Sequence, residues 1–310
     1  MVWKKGRGSL GAAGPESRAF FQLYCPKAQA KAQPQGESAA GRPIDFPAAS
    51  PRPAWYGGAS MSSIAFPPCF PSQNSPSKGG SPQKMDTNTL KISEIFTSIE
   101  GEGLRTGLPA VFVRTHGCNL RCTYCDSMYA VEGTDFREMD LPQIVSAVQA
   151  SGLRCVTLTG GEPLIQPGAK ALLSLLSAQG YEVNVETNGT RPCGQDLPGV
   201  FYTMDWKCGS SGMSAQMTLD HLATLRSTDV LKFVVGSESD LEEAAWVTAQ
   251  LAEAKSGAKL PHIFVSPVYG ALRLERIVAW MLGSRPMTDH GARFQVQLHK
   301  IIWDPDRRGV

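Results

Sequence analysis

Three cysteines lie within eight residues of one another in the segment HGCNLRCTYCDS, residues 116–127, at Cys118, Cys122 and Cys125. Thiolates bind zinc or iron–sulfur clusters, and their softness alone does not separate the two. A closed structural zinc site takes four ligands, and the fourth would be His116, only two positions before Cys118. A 4Fe-4S cluster held by three cysteines instead leaves one iron without a protein ligand, open to a substrate or cofactor.

After residue 85 the chain alternates short apolar runs with longer helical patterns. Candidate strands, rich in β-branched and aromatic residues, are AVFVRT, CVTLTG, EVNVET, VFYTMDW, VLKFVV, HIFVSPV and RFQVQLHKI. Candidate helices, with apolar residues near i, i+3, i+4 and i+7, are LPQIVSAVQASG, AKALLSLLSAQG and DLEEAAWVTAQLAEA. Strand–helix–strand units pair in parallel through right-handed crossovers. The pattern therefore predicts an α/β domain of about 225 residues, either an open sheet or an incomplete barrel.

Residues capable of chemistry follow four of these strands. The cysteine loop follows AVFVRT, GGEP follows CVTLT, ETNG ends EVNVET and DWK ends VFYTMDW. Active sites of parallel sheets and barrels form at the carboxyl ends of the strands. We therefore expect these four loops to share one rim.

The first 85 residues differ in composition from the rest of the chain. They hold 12 of the 22 prolines and a net charge of +7, whereas the remainder carries −5. This stretch is not expected to fold alone, and we interpret residues 1–85 as a disordered or mis-annotated leader with Met85 as a candidate start. A transit peptide and a basic nucleic-acid-binding tail are the other interpretations. Residues 86–310 would form the catalytic domain.

The remaining composition indicates a soluble protein. No run approaches the roughly 18 apolar residues that a membrane helix requires. Eight cysteines, three clustered and the others scattered, do not resemble a disulfide framework. We therefore expect a protein of the reducing cytoplasm, with neither a membrane nor a nucleic acid as partner.

The segment CNLRCTYC resembles the CxxxCxxC motif of the radical S-adenosylmethionine (SAM) enzymes, and the following GGEP supports the resemblance. The resemblance implies an incomplete (βα) barrel with a 4Fe-4S cluster on Cys118, Cys122 and Cys125. The open iron would chelate the amino and carboxyl groups of SAM. Reduction would then cleave SAM to methionine and a 5′-deoxyadenosyl radical that abstracts hydrogen.

Three of the four loops carry the SAM contacts that this resemblance implies. Tyr124 is suited to packing near an adenine, the glycines of GGEP let the backbone approach a ligand, and the Glu162 carboxylate can accept from an ammonium. The alternative for Tyr124 is ordinary loop packing. The alternative for GGEP is a strand-to-helix turn in which Pro163 begins the next helix. For DWK the alternatives are a salt bridge and a core tryptophan, and many relatives have Ser-Pro-Lys there. The implied SAM contacts are Tyr124, Cys125, Asp126, Gly161, Asp205, Trp206 and Lys207.

Further segments resemble the 7-carboxy-7-deazaguanine synthases from about residue 92 to residue 310. They are EIFTSIEGEG, AVFVRTHGC, CDS, VETNGT, DWKCGSSGM, LKFVV and QLHKIIWDPDRRGV. This resemblance implies a lyase of queuosine and 7-deazapurine biosynthesis. Such an enzyme contracts the ring of 6-carboxy-5,6,7,8-tetrahydropterin to 7-carboxy-7-deazaguanine, releases ammonia and regenerates SAM. A homodimer and an electron donor such as flavodoxin or ferredoxin are also implied.

The same resemblance places the pterin at the glycine-rich EGEG loop. Arg114 presents a fork of donors to a carboxylate, and the glycines expose backbone groups to a flat heterocycle. A tight turn and an exposed salt bridge are the alternatives for the loop and for Arg114. The implied contacts are Ile99, Glu100, Gly101, Arg114, Thr159 and the carboxylate of Val310. Mg²⁺ would bind the hydroxyl of Ser127, a residue that in isolation suits a helix cap.

Two other functions fit parts of the pattern. A radical SAM activase, which installs a glycyl radical on a partner, shares the cysteine spacing, but EGEG, Arg114 and the QLHKIIW…RGV ending are not typical of that class. A zinc-stabilised α/β binding protein is the alternative that is not an enzyme. A brown cluster after anaerobic reconstitution would exclude zinc as the native metal.

Overall fold

A computed structural model describes residues 88–194 and 196–310 of the chain. The predicted leader, residues 1–85, and the candidate start at Met85 lie outside the described residues. The strands are β1 (Thr89–Ile99), β2 (Pro109–Thr115), β3 (Arg137–Asp140), β4 (Cys155–Gly160), β5 (Glu182–Thr187), β6 (Val200–Trp206), β7 (Val230–Val235), β8 (His262–Pro267) and β9 (Arg293–Phe294). The helices are α1 (Leu141–Ala150), α2 (Ala169–Ala178), α3 (Leu219–Leu222), α4 (Glu238–Ala254), α5 (Leu274–Gly283), α6 (Arg285–Asp289) and α7 (His299–Ile302).

All nine strands belong to one sheet, in the order β3-β1-β2-β4-β5-β6-β7-β8-β9. Neighbouring strands from β2 to β9 are parallel, whereas β1 is antiparallel to both β2 and β3. Helices connect most of the successive parallel strands, as in βαβ units, although the described residues between β5 and β6 include no helix. The predicted incomplete (βα) barrel is confirmed, with two antiparallel strands added at one edge.

The apolar periodicity identified most of these elements. Six of the seven candidate strands correspond to β2, β4, β5, β6, β7 and β8, and the three candidate helices to α1, α2 and α4. Strands β1 and β3 were not predicted, although buried Leu90 and Ile92 alternate with exposed Lys91 as in a half-buried strand.

The prediction of a strand over RFQVQLHKI is wrong for most of its length. Only Arg293–Phe294 pairs with β8, and His299–Ile302 is a helix. The chain leaves the sheet because its groups bond elsewhere: the Gln295 amide contacts Ser266 and the Gly103 backbone, and the Leu298 amide donates to the Gly101 carbonyl. The segment thereby runs over the EGEG loop.

The two faces of the parallel strands differ in polarity, and this difference positions the site. Val156 and Leu158 of β4 are fully buried in the apolar core, which also includes Ile144 and Val148 of α1. Burial of each such side chain contributes about 1.5–3 kcal/mol. Because successive strand residues point to opposite faces, the intervening Thr157 and Thr159 lie on the barrel's inner face. That inner face is polar across several strands.

Candidate active site

One cleft of about 500 Å³ opens at the carboxyl ends of the parallel strands. The cysteine loop, GGEP, the ends of β5 to β8, the EGEG loop and the C-terminal segment all contribute to its wall. This confirms the prediction that the cysteine loop, GGEP, ETNG and DWK share one rim of the sheet. The predicted site residues on the cleft are Ile99, Glu100, Gly101, Arg114, Cys118, Cys122, Tyr124, Cys125, Asp126, Ser127, Thr159, Gly161, Asp205, Lys207 and Val310.

The imidazole of His116 is not available as a fourth ligand beside the cysteines. Its Nδ1 lies 3.0 Å from the Ser93 hydroxyl, and its Nε2 lies 3.2 Å from the Gly133 carbonyl oxygen. The ring is buried and stacks on Phe136. Among the described residues, no group of three or more His, Cys, Asp or Glu side chains is arranged to hold a single metal ion. These contacts argue against the Cys₃His zinc site.

The surroundings of the cysteines fit an iron–sulfur cluster. All three thiols are free and partly exposed on the cleft. The Cys118 sulfur accepts from the Leu120 amide at 3.4 Å and from the Asn188 side-chain amide at 3.5 Å. Burial raises the pKa of the Cys122 thiol, while the Lys207 ammonium lowers it. Cluster ligation needs the thiolate form of cysteine. The amide donors and the Lys207 ammonium favour that form, as would the bound metal.

The glycine pair of GGEP lets two loops approach each other closely. The Gly161 amide donates to the Thr115 carbonyl at 3.1 Å, and the next amide donates to the Gly117 carbonyl at 2.9 Å. A Cβ on Gly161 would overlap the Gly117 carbonyl and lie 2.9 Å from the Cβ of Cys118. Gly161 therefore fixes the distance between GGEP and the cysteine loop, whatever ligand binds there.

The carboxylate of Glu162 does not face the cleft, which corrects the expectation that it accepts from an ammonium. It is fully buried and accepts from the Asn188 amide at 2.6 Å, the Leu164 amide at 2.9 Å and the Thr187 hydroxyl at 2.9 Å. Burial raises the pKa of this carboxyl, and the three donors oppose the rise. Glu162 therefore joins the GGEP turn to the ETNG turn, and the glycine backbone is left for a ligand.

Asp205 and Lys207 line the cleft at the end of β6, whereas Trp206 between them does not. The Trp206 indole is buried in the core and donates to Glu243 at 2.9 Å. Adjacent strand residues face opposite ways, so Trp206 cannot present its ring to the same ligand as Asp205. The Asp205 Oδ2 lies 2.8 Å from the Lys207 ammonium, while its buried Oδ1 has no hydrogen-bond partner within the described part of the chain. An unpaired buried acceptor is costly and indicates a missing donor.

The predicted substrate contacts differ in how free their side chains are. Glu100 is buried and accepts from Arg105 at 2.6 Å and from Thr157, so only its backbone is free to contact a ligand. The Thr159 hydroxyl donates to Glu186 at 2.8 Å. Arg114 is paired with Glu94 at 2.7 Å, and one of its terminal nitrogens donates to the Ser127 hydroxyl at 3.3 Å.

Several charged or hydroxyl-bearing side chains on the cleft were not predicted from the sequence. Glu186 of ETNG and Lys232 of LKFVV are charged residues within otherwise apolar strands. That position was the sequence signal that could have identified them as site residues. His299, Lys300 and Arg308 lie in the terminal segment QLHKIIWDPDRRGV, for which the family resemblance is the only sequence signal. The missed residues on the cleft include Glu102, Tyr129, Glu186, Lys232, His299, Lys300 and Arg308.

The C-terminal segment reaches across the cleft to the turn that follows the third cysteine. The Lys300 ammonium lies 3.0 Å from the Asp126 carboxylate and holds the pKa of that carboxyl down at about 2 against the effect of burial. The Arg308 guanidinium lies 3.9 Å from the centre of the Tyr129 ring. Val310, the last residue, also lines the cleft.

None of the described helices is both long and apolar enough to cross a membrane.

Comparison with known proteins agrees with the site. Residues 112–196 match the radical SAM superfamily. The chain is 40% identical over 225 residues to a 7-carboxy-7-deazaguanine synthase of Clostridium acetobutylicum, a match that covers 71% of this chain and 99% of the relative. A synthase of the same name from Methanospirillum hungatei is 41% identical over 237 residues, covering 76% of this chain and 94% of the relative.

The crystal structure of QueE from Escherichia coli superposes with a TM-score of 0.54 at 22% identity, covering 67% of this chain and 94% of that one. This likeness supports the fold. The sequence matches extend over nearly the whole length of both relatives, 99% and 94%. The chain therefore belongs to the 7-carboxy-7-deazaguanine synthase family of radical SAM proteins.

Proposed function

We propose that this protein is a radical SAM lyase that converts 6-carboxy-5,6,7,8-tetrahydropterin to 7-carboxy-7-deazaguanine and releases ammonia, in queuosine and 7-deazapurine biosynthesis. The observation that carries the proposal is that a single cleft is lined by three free cysteines, the EGEG loop and Arg114. The relatives that share this chain's full domain carry the name of that enzyme. The glycyl-radical activase and the zinc-binding protein are not favoured.

The cofactor end of the cleft is assigned to the cysteine loop, GGEP and the end of β6. Cys118, Cys122 and Cys125 would hold the 4Fe-4S cluster, which with SAM supplies a 5′-deoxyadenosyl radical for hydrogen abstraction. The unpaired Oδ1 of Asp205 is an acceptor for a hydroxyl or amino donor of SAM. Tyr124 lines the same part of the wall, and its hydroxyl donates to the Val234 carbonyl at 3.4 Å. Its ring is thereby held in place for stacking.

The substrate end is assigned to the EGEG loop, Arg114 and Thr159. The backbone of residues 99–101 would contact the edge of the pterin ring, since the Glu100 side chain is already bonded to Arg105. Arg114 would hold the substrate carboxylate with the donors that Glu94 and Ser127 leave free. The Glu186 carboxylate, which accepts from Thr159, is a further acceptor for ring N–H groups.

We also assign the Mg²⁺ site to Ser127. Its hydroxyl donates to the Asp126 carboxylate at 3.0 Å and lies on the cleft wall. The described residues offer no cluster of acidic ligands, so water and substrate oxygens would complete an octahedral shell. Equilibrium dialysis with Mg²⁺, with and without 6-carboxypterin, tests this assignment: binding that needs no pterin, or is unchanged in Ser127→Ala, would contradict it.

The proposed partners are a low-potential electron donor such as flavodoxin or ferredoxin and a second copy of the chain, in the reducing cytoplasm. Leu274, Val278 and Leu282 are exposed at successive i, i+4 positions of α5 and form an apolar stripe, which supports a homodimer. Sedimentation of wild-type protein and of Leu282→Glu tests the stripe, because a buried charge there would shift the protein to monomer.

The decisive experiment is a product assay on anaerobically reconstituted protein. With SAM, reductant and Mg²⁺, it should convert the carboxytetrahydropterin to the deazaguanine acid with one ammonia per product, and SAM should not be consumed stoichiometrically. Mass spectrometry identifies the product. Activation of a glycyl-radical partner without pterin turnover, or a colourless zinc protein, would reverse the assignment.

A further inference from the structure

We infer that Glu94 and Tyr129 are positioning residues that orient the guanidinium of Arg114, and that Arg308 of the C-terminal segment holds Tyr129 in place. The inference rests on the proposed function, since it concerns how the substrate carboxylate is recognised. These four residues form a continuous chain of contacts, and three of them, Arg114, Tyr129 and Arg308, line the cleft.

Glu94 lies directly opposite Arg114 in the antiparallel pair of β1 and β2. The pairing shifts register between Ile92 and Glu94, and such a bulge changes the direction in which a side chain points. The Glu94 carboxylate accepts from the Arg114 Nε at 2.7 Å. A guanidinium bound at Nε keeps a fixed plane while its outer nitrogens remain able to donate.

Tyr129 bonds to the same carboxylate oxygen. Its hydroxyl donates to Glu94 Oε1 at 2.6 Å, so that Glu94 is held by two donors. The planar Arg308 guanidinium covers the ring at 3.9 Å, a cation–π contact.

The chain of contacts ends on the residue assigned to Mg²⁺. An Arg114 terminal nitrogen donates to the Ser127 hydroxyl at 3.3 Å, while its Nη2 bonds to no group in the described part of the chain. Arg114 lines the cleft with a side-chain exposure of 16%, and Glu94, which is not among the lining residues, lies beside it with an exposure of 22%. The arrangement thus leaves one outer nitrogen of a rigid fork for an anionic ligand.

The charges along this wall also favour an anion. Glu94 neutralises one of the two arginines, and Arg308 pairs with no carboxylate among the described residues. Arg308 therefore adds to this wall a positive charge that no salt bridge of the described residues neutralises. Removal of the Tyr129 hydroxyl would free Glu94 to rotate and would weaken the alignment of Arg114 without changing any charge.

The test compares Tyr129→Phe and Glu94→Gln with wild type in the reconstituted enzyme. A charge-assisted hydrogen bond is worth about 1.5 kcal/mol, so the KM for the pterin should rise about tenfold while kcat changes less than about twofold. Cleavage of SAM without pterin and the iron content should be unchanged. Glu238→Gln on α4, which removes an exposed carboxylate paired with Arg276 at 2.9 Å, is the matched control.

Direct binding separates this inference from the proposed function. Wild-type protein should bind 6-carboxypterin more tightly than 6-hydroxymethylpterin, and Tyr129→Phe should reduce that preference about tenfold. If wild type binds neither pterin, the proposed function fails. If wild type prefers the carboxylate and both variants keep its full preference and KM, or if they lose iron and SAM cleavage together with pterin binding, Glu94 and Tyr129 do not position Arg114.

Discussion

The ammonium group of Lys232 lies 3.0 Å from the carboxylate of Glu102, and the two side chains are only 9% and 12% exposed. The same ammonium lies 3.8 Å from Asp205. One buried cation on β7 therefore joins the EGEG loop, assigned to the substrate, to the strand end assigned to SAM. The two nearby carboxylates raise the pKa of Lys232 despite its burial, so the side chain is charged.

Lys232→Met should destabilise the protein, because it leaves the largely buried Glu102 carboxylate without its cation, whereas Asp205 keeps Lys207. Loss of one partner of a buried ion pair costs about 3–5 kcal/mol. Urea denaturation measures the free energy of unfolding. Lys170→Met, which removes an exposed lysine from α2, is the control and should change stability by less than about 0.5 kcal/mol. A loss for Lys232→Met as small as that control would contradict the role of the ion pair.

Gly161→Ala should prevent normal cluster assembly, because a Cβ there overlaps the Gly117 carbonyl and approaches the Cβ of Cys118. Backbone atoms on both sides must then move, and the cysteine loop moves with them. Iron content and visible absorption after anaerobic reconstitution should fall to less than about half of wild type. In Gly283→Ala, where no atom lies within 4 Å of the added Cβ, both readouts should equal those of wild type.

Cys122→Ala should abolish turnover and cluster binding while the fold is retained. The three cysteines are partly exposed on the cleft and are not members of the hydrophobic core. Circular dichroism and the unfolding midpoint of the cluster-free variant should match those of cluster-free wild type within about 1 kcal/mol. Measurable conversion of the pterin by the variant would show that the cluster is not held as proposed.

The stability of the protein should decline on mild acidification, partly because of His299. Burial lowers the pKa of His299 in the folded state below its usual value of 6.5. Above pH 6.5 the His299 imidazole is neutral in both the folded and the unfolded protein, so its full contribution to stability is present. As the pH falls below that value, the unfolded protein binds the proton first, and the free energy of unfolding decreases. Urea titrations at pH 7.5 and 5.5 should show a smaller loss in His299→Gln than in wild type, and equal losses would refute this assignment.

Much of the site could be predicted from the sequence because its ligands are local. The spacing of Cys118, Cys122 and Cys125 determines how many thiolates one loop can offer, and the parallel strands require the loops after them to meet at one rim. Apolar periodicity likewise indicated the main strands and helices, since burial of one face depends on the order of residues along the chain.

Only the tertiary structure decided which side chains the cleft receives. Glu162 and Trp206 lie within the predicted motifs, but their partners, Asn188 and Glu243, come from other elements and hold them away from the cleft. The contacts of Lys232 with Glu102 and of Arg308 with Tyr129 join residues distant in the chain. Motif spacing determines what a loop can bind, whereas the direction of a side chain depends on the groups that packing brings beside it, and these are not adjacent in sequence.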